Sequence, residues 1–335
     1  MINSPHIPEN ENFVKADILM NSGRRHLILA TEFMLNLMSN AFTWWVDATF
    51  KLVKAPFTQL WAVHVFIKHD NCLKQVFVAF VLMSGKSTLD YEAVFKKLQQ
   101  LRPNNQVTTV VADFEAATWR GAKNVFKTQI SMKGCFFHFA QAVWRKIVNT
   151  ELVKDYHSDT GTRHFCKKLM SLPLIPYNKI NQVYEELLSE YPLTPKLSNL
   201  CTYFERVWLN SKVFTPESWS WFNEPIRTNN DVEGSHRRLN TRAQHNTLPF
   251  YPLMELLGEE SSYVDYQHAM VASDTLSRNV SKRQSERQCI LFELWFQYFN
   301  KELTPMELLC EIFDSTEPSK EWNSNEVVAA EDDLQ

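Results

Sequence analysis

The chain has 335 residues, 44% of them apolar and 13% aromatic, enough to bury a core spread over roughly two domains. It holds 7 glycines and neither a GxGxxG nor a GxxxxGK motif, which excludes nucleotide folds built on glycine-rich phosphate loops. The formal charge of −3 resides in the C-terminal stretch, where Glu317, Glu321, Glu326, Glu331, Asp332 and Asp333 face only Lys320; the remainder is mildly basic.

The opening MINSPHIPENENF has no basic segment leading into an apolar one, and the apolar run from Val76 to Met83 is too short to span a bilayer. A soluble intracellular protein without membrane association is expected. From residue 43, TWWVDATFKLV, QLWAVHVFI and KQVFVAFVLM read as three strands joined by short polar links such as KHDN, hence an antiparallel meander. STLDYEAVFKKLQQL spaces Tyr91, Val94, Phe95, Leu98 and Leu101 as a helix, opened by a Ser87/Asp90 capping box and closed at Arg102-Pro103. VTTVVAD is a fourth strand, EAATWRGAKNVF a helix, ISMKGCFFH a fifth strand and FAQAVWRKIV a third helix. This order predicts an α/β fold, a mixed five-stranded sheet with flanking helices.

From 149 to 221 strand signals vanish, and Pro173, Pro176, Pro192, Pro195 and Pro216 divide a helical segment into short pieces. RTNNDVEGSHRRLN then precedes helical stretches over 252–272 and 285–300, and the acidic end is predicted to be disordered. The six cysteines (72, 135, 166, 201, 289 and 310) lack CxxC pairs and read as reduced thiols.

Asp47 shares a strand face with Trp45 and Thr49, where a carboxylate requires a partner: a metal ion, or a hydrogen-bond donor if its role is structural. Asp113 ends the fourth strand just before a helix, either as an N-cap or as a second metal-binding carboxylate. Thr228 and Asp231 mark a helix start that puts Glu233 near its positive end, either as a third such carboxylate or as the i,i+4 partner of Arg237. Asp231 and Glu115 compete for that third role. Three converging carboxylates would hold two Mg²⁺ or Mn²⁺ ions, hard cations that need oxygen ligands and support in-line displacement at phosphorus.

Cys135 and His138 are spaced C-x-x-H at the close of the fifth strand. Cys135 is either core or a structural zinc ligand completed from His157, His164, Cys166 and Cys201; His138 could instead face the scissile phosphate or orient a carboxylate. Arg237, Arg238 and Arg242, with His236 and His245, form one basic cluster, and Arg145 with Lys146 another. Each suits phosphate oxygens or a solvated helix face. Trp208, Trp219 and Trp221 either stack on unpaired bases or pack in the core.

Four motifs in order, WWVDATFKLVKAPFTQLWAVHVF, VVADFEAATWRGAKNVF, GCFFHFAQAVWRKI and RTNNDVEGSHRRLN, resemble the MULE (Mutator-like element) transposase domain, as found in animal relatives that often carry a FLYWCH zinc finger. The resemblance covers about residues 24–310. It implies an RNase H-like fold with a DDE triad: Asp47 in D-x-T-F, Asp113 in D-F-E-x-A and Glu233 in N-N-x-x-E-G as catalytic metal ligands, with the C-x-x-H pair on Cys135 and His138, the latter auxiliary. Ala48 stands where many relatives have glycine.

The implied organisation is a lead-in over 1–42, a catalytic core over 43–149, a helical insertion over 150–225, the last-carboxylate helix over 226–250, a helical region over 251–313 and an acidic tail over 314–335. The implied function is metal-dependent phosphodiester hydrolysis and strand transfer on double-stranded DNA, at terminal inverted repeats and target sites. A homo-oligomer and a nuclear location follow from the same resemblance. No sequence-specific DNA-binding module is recognisable before residue 24, which keeps open a domesticated, non-mobile relative that binds DNA or protein; a different two-metal nuclease on the same fold is the third reading.

Overall fold

The computed structural model describes residues 12–225, 230–244 and 247–316, apart from the side chains of 230–233 and 316. His245 and the acidic end lie outside the described residues. The chain forms two compact units from separated segments: 12–133 with 230–279, and 134–225 with 280–316.

The first unit is built on a mixed seven-stranded sheet: β1 (Val14–Leu19), β2 (Arg25–Leu29), β3 (Thr43–Thr49), β4 (Gln59–His69), β5 (Cys72–Met83), β6 (Thr109–Ala112) and β7 (Ser131–Gly134), in the order β1-β2-β5-β4-β3-β6-β7. Pairing is antiparallel from β1 through β3, and β3 pairs parallel with β6. The sequence predicts five strands, so β1 and β2 are a correction. VKADIL interleaves a lysine and an aspartate among few apolar residues, and RHLIL is short, so neither carries a strong periodic signal. Between them Gly23, at φ 80°, closes a turn that residues with a Cβ rarely adopt. β2 runs along β5 from His26↔Met83 to Leu29↔Phe80, which makes β5 an interior strand; its unbroken run VFVAFVLM is buried on both faces.

Three helices punctuate the sheet: α1 (Glu32–Asn40), α2 (Thr88–Leu101) and α3 (Ala116–Phe126). The Ser87/Asp90 capping box opens α2 as expected, and Arg102 caps its end. Helices α2 and α3 cover one face, where Trp44 meets Phe126 edge-on at 5.9 Å and Trp61 meets Phe95 at 5.4 Å. Alternation turns Trp45, Asp47 and Thr49 to the other face, approached by helix Asn230–Arg242. Helix Phe250–Ala272 packs on β4 and β5.

The described part of the second unit is helical. It starts with α4 (Phe136–Asn149) and continues through Val153–Ser158, Thr160–Ser171, Ile180–Glu190 and Pro195–Phe204, with Lys282–Phe299 and Pro305–Thr316 returning later in the chain. Phe139, Phe204, Trp208 and Trp219 form its aromatic centre, with Phe139 stacked on Trp219 at 5.0 Å. Trp208, Trp219 and Trp221 are all buried, which answers the stacking alternative in favour of the core. β7 stops at Gly134, so Cys135 and His138 do not end a strand; the apolar stripe Phe139, Val143, Ile147 extends the helix back to Phe136. Among the described residues no helix is long and apolar enough to cross a membrane.

Candidate functional site

Parallel pairing of β3 with β6 aligns Thr43 with Thr109, Trp44 with Val110 and Trp45 with Val111. Asp47 lies two residues further on in β3, and Asp113 directly follows β6, which ends at Ala112, so the neighbouring parallel strands bring both to the same end of the sheet. The side chain of Asp47 is 10% exposed; its Oδ1 accepts the Ala48 N–H at 2.8 Å and its Oδ2 lies 3.8 Å from Nδ1 of His236. His236 is buried on helix Asn230–Arg242, and its ring centre is 6.0 Å from that of His64 on β4. Burial, then the neighbouring His236 and Arg238 charges, hold His64 well below the ordinary histidine range, against a backbone hydrogen bond at Trp45.

Asp113 is half-buried in the turn between β6 and α3. Its carbonyl accepts the Trp119 indole N–H at 2.6 Å, and Phe114 stacks on the same indole, which fixes the turn. The N-cap of α3 is Glu115, not Asp113, and it makes no side-chain cap bond. Its carboxylate instead accepts the Tyr91 hydroxyl at 2.6 Å and the Thr118 hydroxyl at 3.1 Å, while Tyr91 in turn accepts from Gln59 at 2.9 Å. Glu115 is therefore anchored to α2 and its own helix. Burial first, then the Glu115 charge, raises the Tyr91 phenol above its usual value.

Glu233 falls in the first turn of helix Asn230–Arg242, one turn before His236; its side chain, like that of Asp231, lies outside the described residues. Arg238 and Arg242, expected on phosphates, both bind the buried carboxylate of Glu260 on helix Phe250–Ala272, Arg238 at 2.5 Å, and Arg242 also pairs with Glu259. Arg237 is exposed. Sequence reasoning missed His236 as a neighbour of Asp47; its i,i+3 spacing from Glu233 was the available signal.

In the second unit Cys135 is buried at the N-cap of α4, and His138 is half-buried against the Phe137 ring. No third metal-ligand side chain joins this pair among the described residues. Arg145 binds Gln141 one turn back at 2.6 Å, and Lys146 sits 5.5 Å over the Tyr203 ring. Lys146, Lys196 and Arg206 line a cavity of about 480 Å³ together with Asn149, Asn199 and Tyr203.

Residues 43–142 match the family model of the MULE transposase domain, a span that includes Asp47, Asp113, Cys135 and His138. The match is a similarity of that segment to a transposase domain. No curated protein matches the chain.

Proposed function

We propose that this chain is a DDE-type DNA transposase with an RNase H-like catalytic unit, in which Asp47, Asp113 and Glu233 hold two Mg²⁺ or Mn²⁺ ions. Asp47 within β3, Asp113 just after the neighbouring parallel strand β6, and the Glu233-bearing helix whose His236 stands 3.8 Å from Asp47 carry this reading. Two carboxylates are hard oxygen donors, the chemistry that divalent magnesium requires. The order β5-β4-β3-β6-β7, antiparallel then parallel at β3, supports the fold assignment, with β1 and β2 added at one edge.

When bound, such ions supply the charge neutralisation that an in-line displacement at phosphorus needs at its attacking and leaving oxygens. The chain's own residues set the geometry. The Ala48 N–H orients Asp47, the Trp119 indole pins the backbone at Asp113, and the Tyr91 and Thr118 hydroxyls keep Glu115 bound to the scaffold. His138 is proposed as an auxiliary group, and Arg237, Arg145 and Lys146 as contacts to the DNA backbone. The protein would act in the nucleus as a homo-oligomer on terminal inverted repeats and target DNA.

Incubating the purified protein with Mg²⁺ or Mn²⁺ and DNA carrying the element's inverted repeats tests the proposal. Cleavage should fall by about 10²–10³-fold in Asp47→Asn, the scale lost when a preorganised electrostatic group is removed. Equal cleavage by that variant sinks the assignment. A second reading, a domesticated DNA- or protein-binding relative, draws on the pairing of Arg238 and Arg242 with Glu260, which occupies two expected phosphate contacts. Salt-sensitive DNA binding without cleavage under any metal would favour it.

A further inference from the structure

The helix that bears Glu233 meets the sheet through the imidazole of His236. His236 and Asp47 both turn inward, with side chains 11% and 10% exposed, and Nδ1 of the ring stands 3.8 Å from Oδ2 of the carboxylate. That gap exceeds a hydrogen bond, but at this degree of burial the two groups still attract one another. The other carboxylate oxygen, Oδ1, accepts the Ala48 N–H at 2.8 Å, so Asp47 is gripped by its own strand on one side and faced by the helix on the other. Pairing of β3 with β4 puts Ala62 opposite Asp47, and its lone methyl group leaves space beside the carboxylate. The same pairing puts His64 opposite Trp45; buried there, its ring lies 6.0 Å from that of His236, centre to centre, and bounds the imidazole. The helix is tied independently on another side, where Arg238 and Arg242 pair with the buried Glu260. These two lie about 200° and about 240° around the helix axis from His236, so the helix keeps its anchorage when His236 is changed.

We propose that His236 is a positioning residue for the divalent ions: its Nδ1 edge draws the Asp47 carboxylate toward helix Asn230–Arg242 and so sets the spacing at which Asp47 and Glu233 share an ion. The inference rests on the reading of Asp47 and Glu233 as metal ligands. Residue 233 precedes His236 by three, close to one turn, so both positions belong to the helix face that meets β3. A carboxylate that turns about its Cβ–Cγ bond is aimed at an ion only part of the time. Limiting that rotation in advance, from the Ala48 N–H at one oxygen and the imidazole at the other, strengthens binding, as the hydrogen-bonded partners of metal ligands do generally. The ring acts through Asp47 and is not itself a ligand.

Mn²⁺ binding to the full chain without DNA, followed through loss of the six-line paramagnetic resonance signal of the free ion, tests this apart from cleavage. Wild type should show binding that Asp47→Asn removes. His236→Asn returns an N–H to the Nδ1 position and should bind Mn²⁺ as wild type does. His236→Gln, whose amide falls at the Nε2 position, and His236→Leu, which keeps bulk without a donor, should bind about 10–100-fold more weakly. Circular dichroism checks that each variant folds, and if His236→Leu does not, the contrast between the two amides decides alone. Affinity unchanged in His236→Gln overturns the proposal, as does His236→Asn binding as weakly as His236→Gln. A nitrogen coupling in the spin-echo spectrum of bound Mn²⁺ that vanishes in His236→Gln would make the ring a ligand and also overturn it. Asp47-dependent binding that is indifferent to His236 sinks this inference alone, whereas wild type without Asp47-dependent binding sinks the catalytic reading and this inference with it.

Discussion

At the scale of single residues, Glu260 illustrates how burial dictates pairing. Its carboxylate is fully buried, whereas Arg238 and Arg242 keep 43% and 26% of their side-chain surface. Losing both cations strands a buried charge, so Arg238→Ala with Arg242→Ala should cost roughly 3–5 kcal/mol in urea unfolding. Glu260→Gln, which lets both guanidinium groups turn to water, should cost about 1 kcal/mol. Two buried histidines set a pH dependence. Burial holds His26 below its ordinary 6.5, against the pull of Asp90, and His64 lies further below the same value. Both take up a proton more readily in the unfolded chain, so their contribution is complete above pH 6.5 and is lost as pH falls from there toward their folded values. Urea midpoints should therefore drop between about pH 8 and about pH 5.5; a flat profile would contradict this. Asp47 was legible as a carboxylate requiring a partner because it interrupts an apolar strand. The pairing of Arg238 was not, since Glu260 lies 22 residues away on another helix.

At the scale of elements, close approach of α2 and α3 depends on Gly121. A Cβ there would sit 2.7 Å from the Tyr91 Cβ and 3.1 Å from the Glu92 nitrogen, so the helices must separate to admit it. Gly121→Ala should destabilise by about 1–3 kcal/mol in thermal unfolding. It should also lower DNA cleavage, because α3 begins just after Asp113 and Tyr91 anchors Glu115. Elements with strong periodicity were readable: α2 with its capping box, and the β4–β5 pair with its polar turn. The hairpin of β1 and β2 was not, since its evidence is indirect and lies in β5, whose unbroken apolar run implies neighbours on both sides.

At the scale of the whole molecule, DNA affinity should fall linearly with salt on logarithmic axes, because phosphate contacts release counterions. Lys146→Ala and Arg206→Ala should each reduce the slope by about 1 if the basic cavity of the second unit meets the backbone. Binding independent of salt would count against both basic clusters. Strand and helix periodicity does not show that the segments 12–133 and 230–279 fold together; only the family resemblance, with its helical insertion ahead of the Glu233 helix, implied a return to the core, since such pairing is encoded in surfaces that meet after long excursions of the chain.

That excursion has a consequence for biosynthesis. The sheet face carrying Trp45, Asp47 and Thr49 leaves the ribosome well before helix Asn230–Arg242 is made. At about 5–20 residues per second the delay is on the order of ten seconds or more. During that interval an aromatic surface waits uncovered in the nascent polypeptide, so translation speed and chaperone capacity should govern the yield of native protein more than its final stability does.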